Sequence, residues 1–158
     1  MKSLFYIAII EIVTYLVVTI AKFGIPKSIS DTYYLWKKKS KFLFTFIMWL
    51  TGLPLLFYWV DIAPNAVKFL PFLSVSGMCF VGAACAFKET LTNKVHYISA
   101  GIWAGTALLY FIITNSFIPI VIGVVFAFIG FFINKYKNQT FWAEIACVIM
   151  IIVGIFLI

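Results

Sequence analysis

Two polar stripes inside apolar stretches hold the residues of this chain best suited to chemistry. Glu11 lies near the middle of the first stretch, and at about 100° per residue it shares a helical face with Thr14, Tyr15 and Lys22. Ionisable side chains at that depth in a membrane span are costly and usually functional. The stripe therefore indicates a proton or cation site or a lipid-headgroup contact. The structural alternative is a protonated glutamic acid that is hydrogen-bonded to a neighbouring helix.

The second stripe lies in a later apolar stretch and contains the only histidine. His96, Trp103 and Tyr110 share one helical face by the same spacing. An unperturbed histidine titrates near neutral pH, and the alternative is an interfacial histidine with a wet polar edge. On the same stretch, Gly101-x-x-x-Gly105 presents a small-residue face that permits close helix packing, within one chain or in a homo-oligomer.

A third polar cluster follows the first apolar stretch, within "GIPKSISDTYYLWKKKSK". Ser28, Ser30 and Asp31 are candidates for contact with lipid headgroups. Ser30 is also a good N-cap for a helix that begins at Asp31. The lysines that follow attract anionic headgroups and help to fix the membrane topology; they are Lys37, Lys38, Lys39 and Lys41.

The signatures of common enzymes are absent from the sequence. There is no G-x-S-x-G, no P-loop and no H-E-x-x-H. Any Ser–His pair must use His96, with Ser28, Ser30 or Ser99 as its partner, and no orienting acid is assigned. One histidine cannot form a three-histidine zinc site, so we predict neither a metal nor another cofactor. Glu144, one turn into the last apolar stretch, is expected to reach the interface or to pair with Lys135 or Lys137.

Six apolar stretches are long enough to position these side chains as membrane-spanning helices, each near the ~20 residues that a span requires. They are residues 4–23, 42–60, 69–87, 95–114, 117–134 and 141–158. The stretches are continuous rather than alternating, which disfavours a β-barrel. The sequence predicts an all-α polytopic transmembrane helical bundle with six spans, and residues 1–158 form a single integral membrane domain.

The composition supports a membrane protein and excludes several other classes. The chain is 65% hydrophobic and only 11% charged, too few charges to cover a globule in water. Its net charge of +7 comes from lysines beside apolar stretches, which favours membrane lipids, anionic headgroups above all, over nucleic acid as a partner. Three cysteines inside apolar stretches do not indicate a disulfide framework.

Lysine counting predicts the orientation in a cell membrane. With six spans, the first, third and fifth connections share one side, which carries ten lysines against two on the side of the termini. Because positively charged loops stay in the cytoplasm, we expect cytoplasmic lysine-rich loops and both termini outside.

Two segments carry a resemblance to a known group. "SISDTYY" follows the first span, and "FVGAACAFKETLTNKVHYISAG" joins the third and fourth. The chain resembles uncharacterised six-span bacterial membrane proteins related in pattern to the alkaline ceramidase and adiponectin-receptor superfamily, through Ser28, Ser30, Asp31 and His96. The resemblance implies a helical bundle and a lipid-facing cavity. The hydrolases of that superfamily hold zinc with several histidines, whereas this chain has one.

The sequence thus favours a non-enzymatic membrane protein that binds lipid or a small solute in an intramembrane polar cavity, alone or as an oligomer. The residues expected to line that cavity are Glu11, Tyr15, His96, Trp103 and Tyr110. The first alternative is a membrane-embedded lipid hydrolase or transferase, which uses His96 with Asp31 or Glu89. The second alternative is a small ion channel or transporter.

Overall fold

The structure is a computed structural model that describes residues 2–37, 40, 42–85, 89–133 and 137–158, with the backbone alone for residues 89–93. This part of the chain forms seven α-helices and no strand, which confirms the predicted all-α fold. The helices are α1 (Lys2–Phe23), α2 (Thr32–Leu35), α3 (Phe42–Ile62), α4 (Phe69–Ala84), α5 (Glu89–Ile113), α6 (Phe117–Ile133) and α7 (Gln139–Leu157). A short 3₁₀ turn at Asn65–Val67 precedes α4.

Within the described ranges, five helical segments are long and apolar enough to cross a membrane. They are α1, α3, α4 with its preceding turn, α5 from Lys94 onward, and α7. The sixth predicted span corresponds to α6, which has 17 residues and rises about 25 Å, against a hydrocarbon core of about 30 Å. The helices suit a multi-pass membrane protein, and a sixth crossing by α6 stays a prediction. The prediction that both termini lie on the same side of the membrane depends on this sixth crossing, because five crossings place the termini on opposite sides.

Residues with left-handed backbone end two of the long helices. Gly24 follows α1 with φ of 75°, a conformation that glycine adopts without strain. Asn115 ends α5 with φ of 54°, and the N–H of Ser116 bonds the Phe111 carbonyl at 2.8 Å while that of Asn115 bonds Ile112 at 3.1 Å. This is a Schellman motif, which satisfies carbonyls that the helix end leaves unpaired.

Helix α4 packs closely against both α3 and α5. A Cβ built on Gly77 would lie 2.7 Å from the backbone nitrogen of Trp103, so the two helix backbones nearly touch there. The Ser74 hydroxyl donates to the Trp103 carbonyl at 2.9 Å, and the Thr45 hydroxyl of α3 donates to the Gly82 carbonyl at 2.7 Å. Small residues and interhelical hydrogen bonds are the usual means of holding membrane helices together.

Five helices surround a central cavity, and α6 lies outside them. The described residues that line the cavity come from α1, α3, α4, α5, α7 and the loop after α1. Helix α6 packs on α7, where Gly123 meets Met150 and Gly130 meets Trp142. Helix α7 is in turn fitted to α5 through Gly154 and Phe111. The arrangement places the N-terminal parts of α5 and α7 beside the loop that contains Ser28 and Ser30.

Candidate functional site

Residues 24–31, here called the return loop, join α1 to α2 and are bound to the start of α7. The backbone N–H of Phe141 donates to the Lys27 carbonyl at 3.0 Å. The side-chain amide of Asn138 donates to the Ile25 carbonyl, also at 3.0 Å. The first N–H groups of a helix have no acceptor within the helix, so the start of α7 offers donors that the return loop accepts.

Glu144 makes the third link between α7 and the return loop. Its carboxyl Oε2 accepts the backbone N–H of Ile29 at 2.5 Å, and the same side chain lines the central cavity. The sequence suggested Lys135 or Lys137 as its partner, and Lys135 lies outside the described residues. The observed partner is a backbone group 115 positions earlier, which no sequence spacing signals.

The return loop brings its two serines to the only histidine. Ser28 Oγ lies 3.0 Å from Ser30 Oγ and accepts the backbone N–H of Asp31 at 3.0 Å. Ser30 Oγ lies 3.4 Å from His96 Nε2, near the start of α5. The loop thereby assembles residues 66 positions apart into one polar cluster.

The predicted N-cap role of Ser30 is wrong. Helix α2 begins at Thr32 rather than at Asp31 and has no side-chain cap hydrogen bond. The Thr32 hydroxyl donates to the Ile29 carbonyl at 2.5 Å, so the Tyr15 hydroxyl, 2.5 Å away, donates to Thr32. An N-cap at Ser30 would accept the N–H of Thr32 or Tyr33, but these groups donate to the carbonyls of Ile29 and Ser30, and the Ser30 hydroxyl lies beside His96 instead.

Two spaces meet at Ser30. The first is an open polar recess of about 270 Å³ at the return-loop end of the bundle. It is lined by Lys27, Ser28, Ser30, Asp31, Tyr34, Cys85, His96, Tyr97 and Thr140. The second is the central cavity, of about 40 Å³ and almost wholly apolar, which Ser30 also lines. That volume holds a water molecule, but it is well below the ~150 Å³ cavity that admits benzene. Of these two spaces, the recess is the one with room for a headgroup-sized ligand.

The five predicted cavity residues occupy four different places. His96 lines the recess, and Trp103 lines the central cavity. Glu11 and Tyr15 line a separate outer groove between α1 and α3. Tyr110 is fully buried, with its ring edge-on to Trp59. The described part of the chain therefore has no single cavity shared by all five.

The remaining predicted residues divide between exposed surface and residues that are not described. A Cβ built on Gly101 or Gly105 would meet no atom of the described residues within 4 Å, so this face of α5 is open to them. Lys37 is exposed just beyond α2. Lys38, Lys39 and Lys41 lie outside the described residues. The sequence did not single out Lys27, which lies in the recess.

The recess contains both signs of charge. Lys27 contributes an ammonium group and Asp31 a carboxylate, with the hydroxyls of Ser28, Ser30 and Thr140 around them. Burial, aided by the Asp31 carboxylate, raises the pKa of the Cys85 thiol to about 11, so this wall residue is a neutral thiol at pH 7. No group of three His, Cys, Asp or Glu side chains that could hold a metal occurs among the described residues. The ammonium group and the hydroxyls of the recess are suited to bind a phosphate, and its carboxylate is suited to bind an amine.

The comparisons with known proteins add no relative. No protein-family model matches the chain, and no curated protein or solved structure matches it significantly. The resemblance to the ceramidase and adiponectin-receptor superfamily therefore stays a prediction.

Proposed function

We propose that this chain is an integral membrane protein that binds the headgroup of a phospholipid in the recess beside Ser30. One observation carries the proposal: a polar recess of about 270 Å³ at the return-loop end of an otherwise apolar bundle. In the sequence, the return loop leads to a lysine-rich segment, and lysines beside a membrane span attract anionic phospholipid headgroups.

The phosphate is the part of the ligand that the recess recognises best. Lys27 supplies the positive charge, and Ser28, Ser30 and Thr140 supply hydroxyl donors. A hydrogen bond between an ammonium group and a phosphate oxygen is roughly twice as strong as a neutral one. Asp31 accepts a hydrogen bond from an amine or hydroxyl further along the headgroup.

The acyl chains remain in the bilayer outside the bundle. The central cavity, at about 40 Å³, is too small to enclose them. Tyr34 and Tyr97 line the recess and are 58% and 71% exposed, so the recess opens beside aromatic side chains. Tyrosine favours the boundary between headgroups and hydrocarbon, where a phospholipid entering from the bilayer would lie.

Phospholipid retention tests the proposal. The full chain is purified in detergent, relipidated with a defined phospholipid mixture and washed, and the phospholipid bound per protein is measured by mass spectrometry. At about 1 kcal/mol per lysine, Lys27→Ala weakens binding about fivefold. Lys68→Ala removes the same charge at the other end of α3, away from the return loop, and leaves retention unchanged. Equal retention by the two variants and the native chain would contradict the proposal.

The proposal keeps the predicted sidedness and self-association. The recess faces the cytoplasm with the lysine-rich loops, and both termini are outside. Cysteine labelling at position 37 from each side of the membrane tests this orientation. The open face at Gly101 and Gly105 supports a homo-oligomer, because neither glycine is packed against the described part of the chain. The channel or transporter alternative stays a prediction.

A further inference from the structure

We propose that Ser30 is an acyl-accepting nucleophile, with His96 as its base, in the recess proposed above to bind phospholipid. The inference rests on the proposed function only in that the same recess must admit an ester. It assigns a chemical activity to a contact between two side chains 66 positions apart, and the substrate class is an ester of a short acyl group.

The first argument is the geometry of the two side chains. Ser30 Oγ lies 3.4 Å from His96 Nε2, and a nucleophile–base pair without substrate is often somewhat longer than an ordinary hydrogen bond. Neither group is sealed from ligands, because both line the open recess. For Nε2 to accept the serine proton, Nδ1 of the neutral imidazole carries the ring proton.

The second argument is the surroundings of the hydroxyl. Ser28 Oγ, 3.0 Å from Ser30 Oγ, holds the serine side chain in place through its own bond to the Asp31 N–H. Lys27 supplies a positive charge to the recess, which favours the negative charge that develops on a carbonyl oxygen under attack. The recess thus combines a nucleophile, a base and a cation.

The third argument sets the size of the acyl group. Ser30 also borders the apolar central cavity of about 40 Å³. Cavities that admit benzene are several times larger, so this one accommodates an acyl group of the size of acetyl and no long chain. Among the described side chains, no acid is hydrogen-bonded to His96, and a base without an orienting acid works slowly.

The reaction is an acyl transfer in two balanced steps. Ser30 Oγ bonds to the ester carbonyl carbon while its proton passes to His96 Nε2. The bond from that carbon to the leaving oxygen then breaks, and the leaving oxygen takes the proton. In the second step water, or an alcohol in its place, attacks the acyl carbon with His96 as base, and the serine hydroxyl is restored.

The test measures acylation of the full chain in detergent micelles by p-nitrophenyl acetate. We expect an acetyl adduct that peptide mass spectrometry maps to Ser30, and slower adduct formation with p-nitrophenyl decanoate. Ser30→Ala abolishes the adduct, and His96→Gln slows its formation at least about 100-fold. Ser116→Ala, a serine in the turn after α5, leaves the rate unchanged.

Mapping the adduct on the native chain keeps the test decisive if Ser30→Ala fails to fold. An acetyl group on other residues but not on Ser30 overturns the inference. An adduct on Ser30 that forms equally fast in His96→Gln also overturns it, because the base role is then absent. Normal phospholipid retention without acylation refutes this inference alone, whereas acylation without retention refutes the proposed binding function.

Discussion

The link between Glu144 and the return loop yields the most specific prediction. Glu144→Ala removes the acceptor of the Ile29 N–H and leaves that buried donor unpaired. An unsatisfied buried N–H costs about 1–3 kcal/mol. Glu144→Gln retains a carbonyl oxygen that can accept the same N–H, so we expect it to cost less than about 1 kcal/mol. Some cost remains because a neutral acceptor binds more weakly than a carboxylate.

Hydrogen exchange measures this effect where it arises. At tenfold per 1.4 kcal/mol, a loss of 1–3 kcal/mol speeds the exchange of the Ile29 amide about 5- to 150-fold, provided that the loop opens locally. The assay is amide exchange of peptides that cover the return loop, with the protein in detergent micelles. Peptides from the α4–α5 contact serve as an internal reference and keep their protection.

A matched carboxylate separates the specific bond from a general effect of charge. Asp61, exposed near the end of α3, loses its carboxylate in Asp61→Ala without a change in the return loop. If Glu144→Gln speeds exchange at Ile29 as much as Glu144→Ala does, the acceptor role of the carboxyl oxygen is wrong. Unchanged exchange in Glu144→Ala would mean that the return loop is held by other contacts.

Three further predictions address packing, a buried hydroxyl pair and the recess wall. Gly77→Ala brings a Cβ within 3 Å of the α5 backbone and destabilises the chain by about 1–3 kcal/mol in detergent unfolding, whereas Gly101→Ala, on an open face, stays within about 0.5 kcal/mol. Tyr15→Phe removes the bond to Thr32 and costs about 0.5–1.5 kcal/mol in the same assay, and no change would show that the pair contributes nothing. Because its thiol pKa is about 11, alkylation of Cys85 accelerates about tenfold per pH unit between pH 7 and 10; a plateau from about pH 9, as for an unperturbed thiol, would contradict the assigned burial.

The helices could be predicted from the sequence, but the inward face of each helix could not. Lipid and bundle core are both apolar, so hydrophobic periodicity distinguishes them poorly. On α1, Ile12 is buried whereas Ile10 is 64% exposed, although both are isoleucines in one apolar stretch. Helix α5 begins at Glu89 rather than at residue 95, because polar residues continue the helix beyond its apolar part.

The candidate site could not be predicted from the sequence, because it depends on contacts between different helices and loops that sequence spacing does not encode. Helical spacing correctly groups residues on one face of one helix, but it does not identify the neighbouring helix. Glu11 and His96 were therefore expected in one cavity, and they lie in an outer groove and in the recess. Ser30 contacts His96 from a return loop that α7 holds through Glu144, which lies 115 residues after its partner Ile29.

The most direct test of phospholipid binding uses the single histidine of the chain. With ¹⁵N-labelled histidine, His96 gives the only labelled imidazole, so solid-state NMR in phospholipid bilayers detects ³¹P near the recess without residue assignment. The account predicts a ¹⁵N–³¹P dipolar coupling that Lys27→Ala weakens and Lys68→Ala preserves. A His96 imidazole with no coupling to lipid phosphorus, in a chain that is folded in the bilayer, would contradict the proposed headgroup site.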